Sequence, residues 1–320
     1  MLVEIGWFVV GLVLIALGAD SLVRGLAGFA LRGGAGAFAV GLVAVGFGAS
    51  LPELSVSVSA LAQGAPQLAL GNVVGSNIAN VGLVLAGAAL AAPLAVSMAW
   101  LRVSLPALIV APLLLIGLGW DGTYGRIDGI VLLVAFAALF VHALRASRAE
   151  PAPVQAELAA AAATQTDPLR NLLRLALGLV ALWYGADFVV DAARGIAVRA
   201  GWSELVAGLT FVAVGNALPE LVAAIVAARR GYGNLVVAAV VGTSLVNSLL
   251  VVGGGAAWAE LPVARSLLHV ELPAMFAFAL VLYPMVRGDS VVSRREAALL
   301  FAAFIALIVW QVWRATVLVT

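Results

Sequence analysis

Ten runs of roughly twenty mainly apolar residues divide this chain, each of the length a helix needs to cross the hydrocarbon core of a bilayer. They fall near residues 2–21, 36–62, 67–92, 98–119, 127–145, 169–190, 203–228, 234–259, 266–286 and 296–316. The apolar residues do not alternate with a period of two, so the spans read as helices and not as strands of a membrane barrel. Composition agrees: 64% of the 320 residues are apolar and 10% charged, against about 45–50% and 25% in soluble chains. Too little polar surface remains to cover a water-soluble body of this size. The first run carries Glu4 and no basic residues before it, so it is expected to be a retained span and not a cleaved signal. The chain has no Cys, which excludes disulfides, cysteine nucleophiles and thiolate metal sites. Its two His, His142 and His269, cannot make a His-rich metal centre. The basic residues are all Arg, without a dense run, at a net charge of +1, which argues against a nucleic-acid partner.

Sliding the chain against itself gives matches at one offset, 167 residues, with no gap. Gly18-Ala19-Asp20 falls on Gly185-Ala186-Asp187, and Arg32 on Arg199. Leu51-Pro52-Glu53-Leu54 falls on Leu218-Pro219-Glu220-Leu221, Asn80 on Asn247, and Leu105-Pro106-Ala107 on Leu272-Pro273-Ala274. These residue types are scarce in an Ala/Val/Leu-rich chain, so their coincidence marks a duplication. The expected organisation is a five-helix repeat over 1–153, a cytoplasmic linker over 154–167, and a second five-helix repeat over 168–320. Five is odd, so the second repeat must enter the membrane from the opposite side. The fold class is therefore all-α polytopic: ten transmembrane helices in two inverted five-helix repeats. With the N-terminus outside, Arg126, Arg194, Arg199, Arg265 and Arg314 lie outside and the other 12 of 17 Arg lie inside, as the excess of positive charge on cytoplasmic loops requires. Both termini then face away from the cytoplasm, and a bacterial inner membrane is the expected location. Inverted repeats are the mark of secondary transporters, whose substrate site lies near the midplane on interrupted helices.

Function is to be sought where both repeats carry polar residues in mid-span. Pro52 leaves the carbonyl of Gly48 without its helical partner, and Pro219 does the same to Gly215, so a helix break is expected just before Glu53 and Glu220. A carboxylate at the bilayer centre costs at least about 2.5 kcal/mol, and here it recurs at symmetric positions. Ser76 with Asn80, and Thr243 with Asn247, are spaced i, i+4 and share a helical face; Ser50 joins Glu53 at i, i+3. Carboxylates, hydroxyls, amides and freed carbonyls form a hard-cation set, suited to Ca²⁺, Na⁺ or Mg²⁺. Mg²⁺ is disfavoured because it gives up its waters reluctantly. Two ionised Glu balance one Ca²⁺, and once Ca²⁺ leaves, the like charges need Na⁺ or H⁺ in its place.

Gly48-Ala49-Ser50-Leu51-Pro52-Glu53 with Gly71 to Asn80, repeated as Gly215 to Glu220 and Gly242 to Asn247, resembles the two alpha repeats of the sodium/calcium exchanger family, within the calcium:cation antiporters. The resemblance covers all ten spans. It implies that Glu53 and Glu220 bind Ca²⁺, and that Ser50, Ser76, Asn80, Thr243 and Asn247, with backbone carbonyls near Gly46, Ala49, Ala213 and Asn216, complete overlapping Ca²⁺ and Na⁺ sites. It also implies that spans one and six slide across the rest of the bundle. The chain departs from the family's Gly-Thr-Ser-Leu-Pro-Glu: Ala49 replaces Thr in the first copy, and Asn216-Ala217 replaces Thr-Ser in the second. A hydroxyl of the kind that binds Na⁺ is therefore missing at Ala217. Asn247 stands where several relatives carry Asp, and Gly215-Asn216-Ala217 is similar to a motif of proton-coupled exchangers.

The expected function is Ca²⁺/Na⁺ antiport by alternating access, with Ca²⁺/H⁺ antiport as the rival and an uncoupled cation channel as the third reading. No enzyme activity is expected, since an intramembrane hydrolase would need a nucleophile and base at the symmetric centre. No cofactor and no obligate protein partner are implied, only the transported ions and the lipid bilayer. Gly71, Gly75 and Gly242 read as close-packing residues, and Asp20 and Asp187 as caps or partners of Arg. Glu271, whose repeat mate is Ser104, reads as a shallow group that snorkels to the interface, with proton carriage as the alternative.

Overall fold

The computed structural model describes residues 2–33, 47–96, 101–146, 152, 156, 167–287 and 290–317. Inside lipid every backbone N–H and C=O must find its partner within the segment, and each apolar run accordingly winds into a helix. In chain order these are α1 (Leu2–Arg32), α2 (Leu51–Ala62), α3 (Pro66–Ala91), α4 (Leu101–Leu118), α5 (Arg126–Ala146), α6 (Pro168–Ala200), α7 (Glu204–Arg229), α8 (Gly233–Trp258), α9 (Leu267–Val286) and α10 (Arg294–Val317). Among the described residues, nine helices are long and apolar enough to cross a membrane. The other, α2, is the described part of the second run, whose residues 36–46 lie outside the described residues, as does most of the linker.

Helices α1 and α6 outrun their apolar cores. They have 31 and 33 residues, about 46–50 Å at 1.5 Å per residue, longer than a hydrocarbon core about 30 Å thick. The sequence places their ends near residues 21 and 190 because charges begin there, but the charges are accommodated on the helix: Arg24 reaches back one turn to Asp20 at 2.8 Å. The true stops are local. Asp167 caps α6 by accepting the Arg170 N–H at 2.8 Å, and Gly201 ends it at φ 70°.

Four two-residue strands show the inversion. β1 (Leu94–Ala95) pairs with β4 (Val291–Val292), and β2 (Thr123–Tyr124) with β3 (Leu261–Pro262), both antiparallel. At the 167 offset β1 is the mate of β3, and β2 the mate of β4 to within one residue. Since β1 and β2 flank the two ends of α4, the two ribbons cap opposite ends of the bundle. Each repeat thus contributes its first strand to one face and its second to the other, which is what inversion demands.

Burial sorts the helices into layers. Of the apolar window of each span, 89% is buried in α3 and 83% in α8, but only 22% in α1 and 11% in α5. The repeat-related pair α3 and α8 is the centre, and α1 with α6 packs outside it. Those two run antiparallel along a glycine seam. A Cβ on Gly18 would stand 2.9 Å from the Gly178 carbonyl, and one on Gly11 would stand 2.8 Å from that of Gly185. Without a hydrophobic drive between helices in lipid, such close backbone approach is what holds them together. Gly71 and Gly75 serve the same purpose where α3 crosses α7, against the Leu205 and Leu209 carbonyls at 2.5 and 2.6 Å.

The interruptions differ from expectation in one repeat. α2 starts at Leu51 after a turn at 49–50, with Pro52 in its first turn, where a missing N–H costs nothing. In the second repeat the α-helical part of α7 runs unbroken from Ala213 to Arg229 through Pro219, and the irregular stretch is a π segment over Gly208–Val212. A π turn already carries an extra residue about two turns upstream, and a membrane helix tolerates proline when neighbours take up the freed backbone. Two further π segments, Asn80–Leu85 and Val246–Val251, interrupt α3 and α8. They are repeat mates and begin at or next to Asn80 and Asn247.

Candidate ion-binding site

The first turn of α2 carries Glu53 into the interior, with Ser50 as its N-cap residue. Glu53 is 0% exposed. From the facing repeat, α7 brings Glu220, and the two carboxyl groups lie close enough to interact directly. Neither reaches hydrogen-bond geometry with the other, since both Glu53 oxygens and Glu220 Oε1 are without a partner. α3 and α8 meet where Asn77 Nδ2 donates to Ser248 Oγ at 2.8 Å. Ser76, Asn80, Thr243 and Asn247, on the adjoining positions of those helices, are 0% exposed. Ser76 Oγ, Thr243 Oγ1 and the side-chain amides of Asn80 and Asn247 are also unpartnered.

Buried polar groups are ordinarily hydrogen-bonded, and each one left over costs about 1–3 kcal/mol. A set of orphans at repeat-related positions is therefore an expensive arrangement for a fold to keep. Its oxygens are hard donors, matched to a dehydrated cation. Among the described residues no three or more of His, Cys, Asp and Glu are grouped to hold a metal, so any ion here has at most the two carboxylates for charge.

The expected backbone ligands divide. Ala213 is fully buried and packs where a Cβ on Gly75, one residue from Ser76, would meet it at 2.8 Å. Ala49 lines a cavity beside Glu220. Gly46 lies outside the described residues. The side chain of Asn216 is engaged elsewhere: its Nδ2 donates to Asn72 Oδ1 at 3.0 Å, although its own Oδ1 is buried and unpartnered. Asn72 in turn donates to the Glu53 carbonyl at 3.2 Å and to Ser57 Oγ at 3.0 Å. This buried residue ties α2, α3 and α7 together beside the acidic pair, and the sequence reading gave it no role. The signal was present, since Asn72, Ser76 and Asn80 follow one another at i, i+4, i+8. It was hidden because the repeat mate of Asn72 is Ala239.

A cavity of about 300 Å³ reaches Glu220. It passes between Ala16 and Ala19 of α1, Ala49, Ala223 and Ala227 of α7, and Leu235 of α8. It therefore runs toward the bundle end that carries the α7–α8 turn and the β1–β4 ribbon, where Gly233 abuts the Ala95 backbone. Val56 and Ala60, on the helix that carries Glu53, belong to one apolar cluster with Leu68, Val189, Ala193 and Ala207.

Outlying charges settle as follows. Asp20 pairs with Arg24, and Asp187 accepts from Ser59 and Gln63. Glu271 does not snorkel; it is 4% exposed, at the end of the π segment Leu267–Glu271.

Comparison with known proteins gives a consistent set. The family model described as "Sodium/calcium exchanger protein" matches residues 3–145 and 171–313, one stretch per repeat. An uncharacterized membrane protein of Methanocaldococcus jannaschii is 29% identical over 305 residues, 95% of this chain and 97% of that one. The putative antiporter CaxA of Alkalimonas amylolytica is 32% identical over 80% of this chain and 81% of its own length. A solved structure of the sodium-calcium exchanger NCX_Mj, soaked with Na⁺ and Sr²⁺, superposes with a TM-score of 0.67 at 29% identity, covering 96% of this chain and 98% of the other.

Proposed function

Since the chain belongs to the sodium/calcium exchanger family, a family of membrane antiporters and not of enzymes, we propose that it exchanges Ca²⁺ for Na⁺ by alternating access at the centre between α2, α3, α7 and α8. The observation that carries this reading is the pair of carboxyl groups, Glu53 and Glu220, one from each repeat, interacting near unpartnered hydroxyls and amides, with a cavity that reaches Glu220. Glu53 and Glu220 neutralise Ca²⁺. Ser50, Ser76, Asn80, Thr243 and Asn247, with carbonyls of Gly46, Ala49, Ala213 and Asn216, complete its shell and that of the replacing Na⁺. An emptied site leaves two like charges together in a medium of low dielectric, which disfavours the unloaded transit and couples the two fluxes.

The wall that must move is α1 with α6. Their glycine seam makes them one body, and Ala16 and Ala19 present only methyl groups to the cavity, a surface with little to snag on sliding. By the arginine distribution the end of the bundle that carries the α7–α8 turn is cytoplasmic, with both termini outside and the repeat junction inside, in the inner membrane of a bacterial cell. Ca²⁺/H⁺ exchange is the second reading, and Ala217 favours it: this fully buried methyl offers Na⁺ no oxygen. Ca²⁺ uptake by proteoliposomes under an imposed Na⁺ gradient or an imposed pH gradient decides between them. Uptake indifferent to both gradients would point to a channel and end the exchange reading.

A further inference from the structure

Away from the acidic pair, a second pocket of about 290 Å³ lies between the α6–α7 turn, the π segment of α9 and the end of α10. Trp202, Ser203, Ser266, Glu271, Gln311 and Arg314 are among its lining residues. Glu271 and Gln311 are 4% and 5% exposed, yet Glu271 Oε2 and Gln311 Oε1 have no hydrogen-bond partner, and neither has the Trp202 indole N–H. Arg314 stands at the rim, half-buried, with its guanidinium 5.4 Å from the centre of the Trp310 ring, and its charge reaches Glu271. The repeat mates of Glu271, Gln311 and Arg314 are Ser104, Leu144 and Ser147. The polar lining of this pocket therefore does not recur in the first repeat, unlike the acidic pair.

The chemistry of the lining restricts the guest. The deep end offers acceptors, a carboxylate and an amide oxygen, and so wants N–H donors. A bare metal ion would meet the Arg314 charge and would leave most of a volume equal to about ten waters unfilled. A ligand that is cationic at one end and anionic at the other suits Glu271 within and Arg314 at the rim. Trp310, which lines the pocket, and Trp313, next to Arg314 in the chain, are 39% and 60% exposed, and exposed Trp of this kind marks the headgroup level of the bilayer. We propose that this pocket binds the ethanolamine-phosphate headgroup of a phospholipid, its primary ammonium donating to Glu271 and Gln311 and its phosphate held by Arg314. A choline headgroup has the charge but no N–H for the two acceptors, and a glycerol headgroup lacks the cation.

The test is lipid retention by the full-length protein in detergent, read by native mass spectrometry with phosphatidylethanolamine, phosphatidylcholine and phosphatidylglycerol. Phosphatidylethanolamine should be held most strongly. Glu271→Gln should weaken it by about tenfold or more, the worth of a charge-assisted bond, and leave phosphatidylglycerol unchanged, whereas Arg314→Gln should weaken both. Trp202→Phe, which keeps the ring, should keep the preference for the ethanolamine lipid. Equal retention of the three lipids, or undiminished phosphatidylethanolamine on Glu271→Gln, overturns the proposal. Displacement of the lipid by free phosphoethanolamine at equal concentration overturns the lipid as the source. None of these readouts depends on Ca²⁺ transport.

Discussion

Replacing Glu53 by Gln removes one of the two charges facing the proposed ion while keeping the side chain's length and one of its oxygens. Glu53 is 0% exposed and both its oxygens are unpartnered, so the charge is unscreened by solvent. Removing one partner of a buried ionic pair costs about 3–5 kcal/mol, and at the lower figure Ca²⁺ affinity falls by a factor of about 10². Coulomb energy scales with the charge of the ion, so Na⁺ should lose about half as much free energy, roughly a tenfold weakening. Thermal unfolding with added Ca²⁺ reads the first number directly. At a concentration a hundred times the dissociation constant of the parent, bound Ca²⁺ stabilises it by about 2.7 kcal/mol, and a hundredfold weaker variant retains only about 0.4. Without ions the order reverses: the variant is relieved of an unpaired charge beside Glu220 and should unfold no earlier than the parent. Ca²⁺ and Na⁺ weakened by the same factor, or an undiminished Ca²⁺ response, would refute the reasoning from charge.

Ala217→Ser restores a hydroxyl beside the acidic pair and should strengthen the Na⁺ dependence of Ca²⁺ flux in proteoliposomes; unchanged Na⁺ activation would remove the missing hydroxyl from the explanation. Gly18→Val pushes a side chain against the Gly178 backbone, where even a Cβ would stand at 2.9 Å, and should destabilise by about 1–3 kcal/mol. Gly6→Val, with nothing within 4 Å, should leave unfolding unchanged. Asn72→Ala deletes three hydrogen bonds around Glu53 and should lower Ca²⁺ affinity without changing its charge dependence, measured as the Ca²⁺-to-Na⁺ affinity ratio. Because the chain has no Cys, single cysteines can report sidedness. Arg230→Cys and Trp120→Cys, both exposed, should label with impermeant maleimide from opposite sides of the membrane.

Much of this protein is written in its hydropathy. Ten apolar runs determine ten helices because lipid leaves the backbone no other way to satisfy itself. The odd number of spans per repeat determines the inversion, and scarce polar residues recurring at one offset mark Glu53 and Glu220 without any contact being known. Helix ends were less legible, since the charges of α1 and α6 end the apolar runs but not the helices. What only the tertiary structure decided is where side chains from distant spans meet. Packing of α3 against α7 and α8 left some buried polar groups paired, as with Asn72 and Asn216, and others bare. It absorbed Pro219 into a continuous helix but not Pro52, and it turned Glu271 inward. It also left a cavity that reaches Glu220. Spacing within a helix fixes which residues share a face, but which face finds a partner depends on neighbours more than a hundred residues away, and no local pattern encodes them.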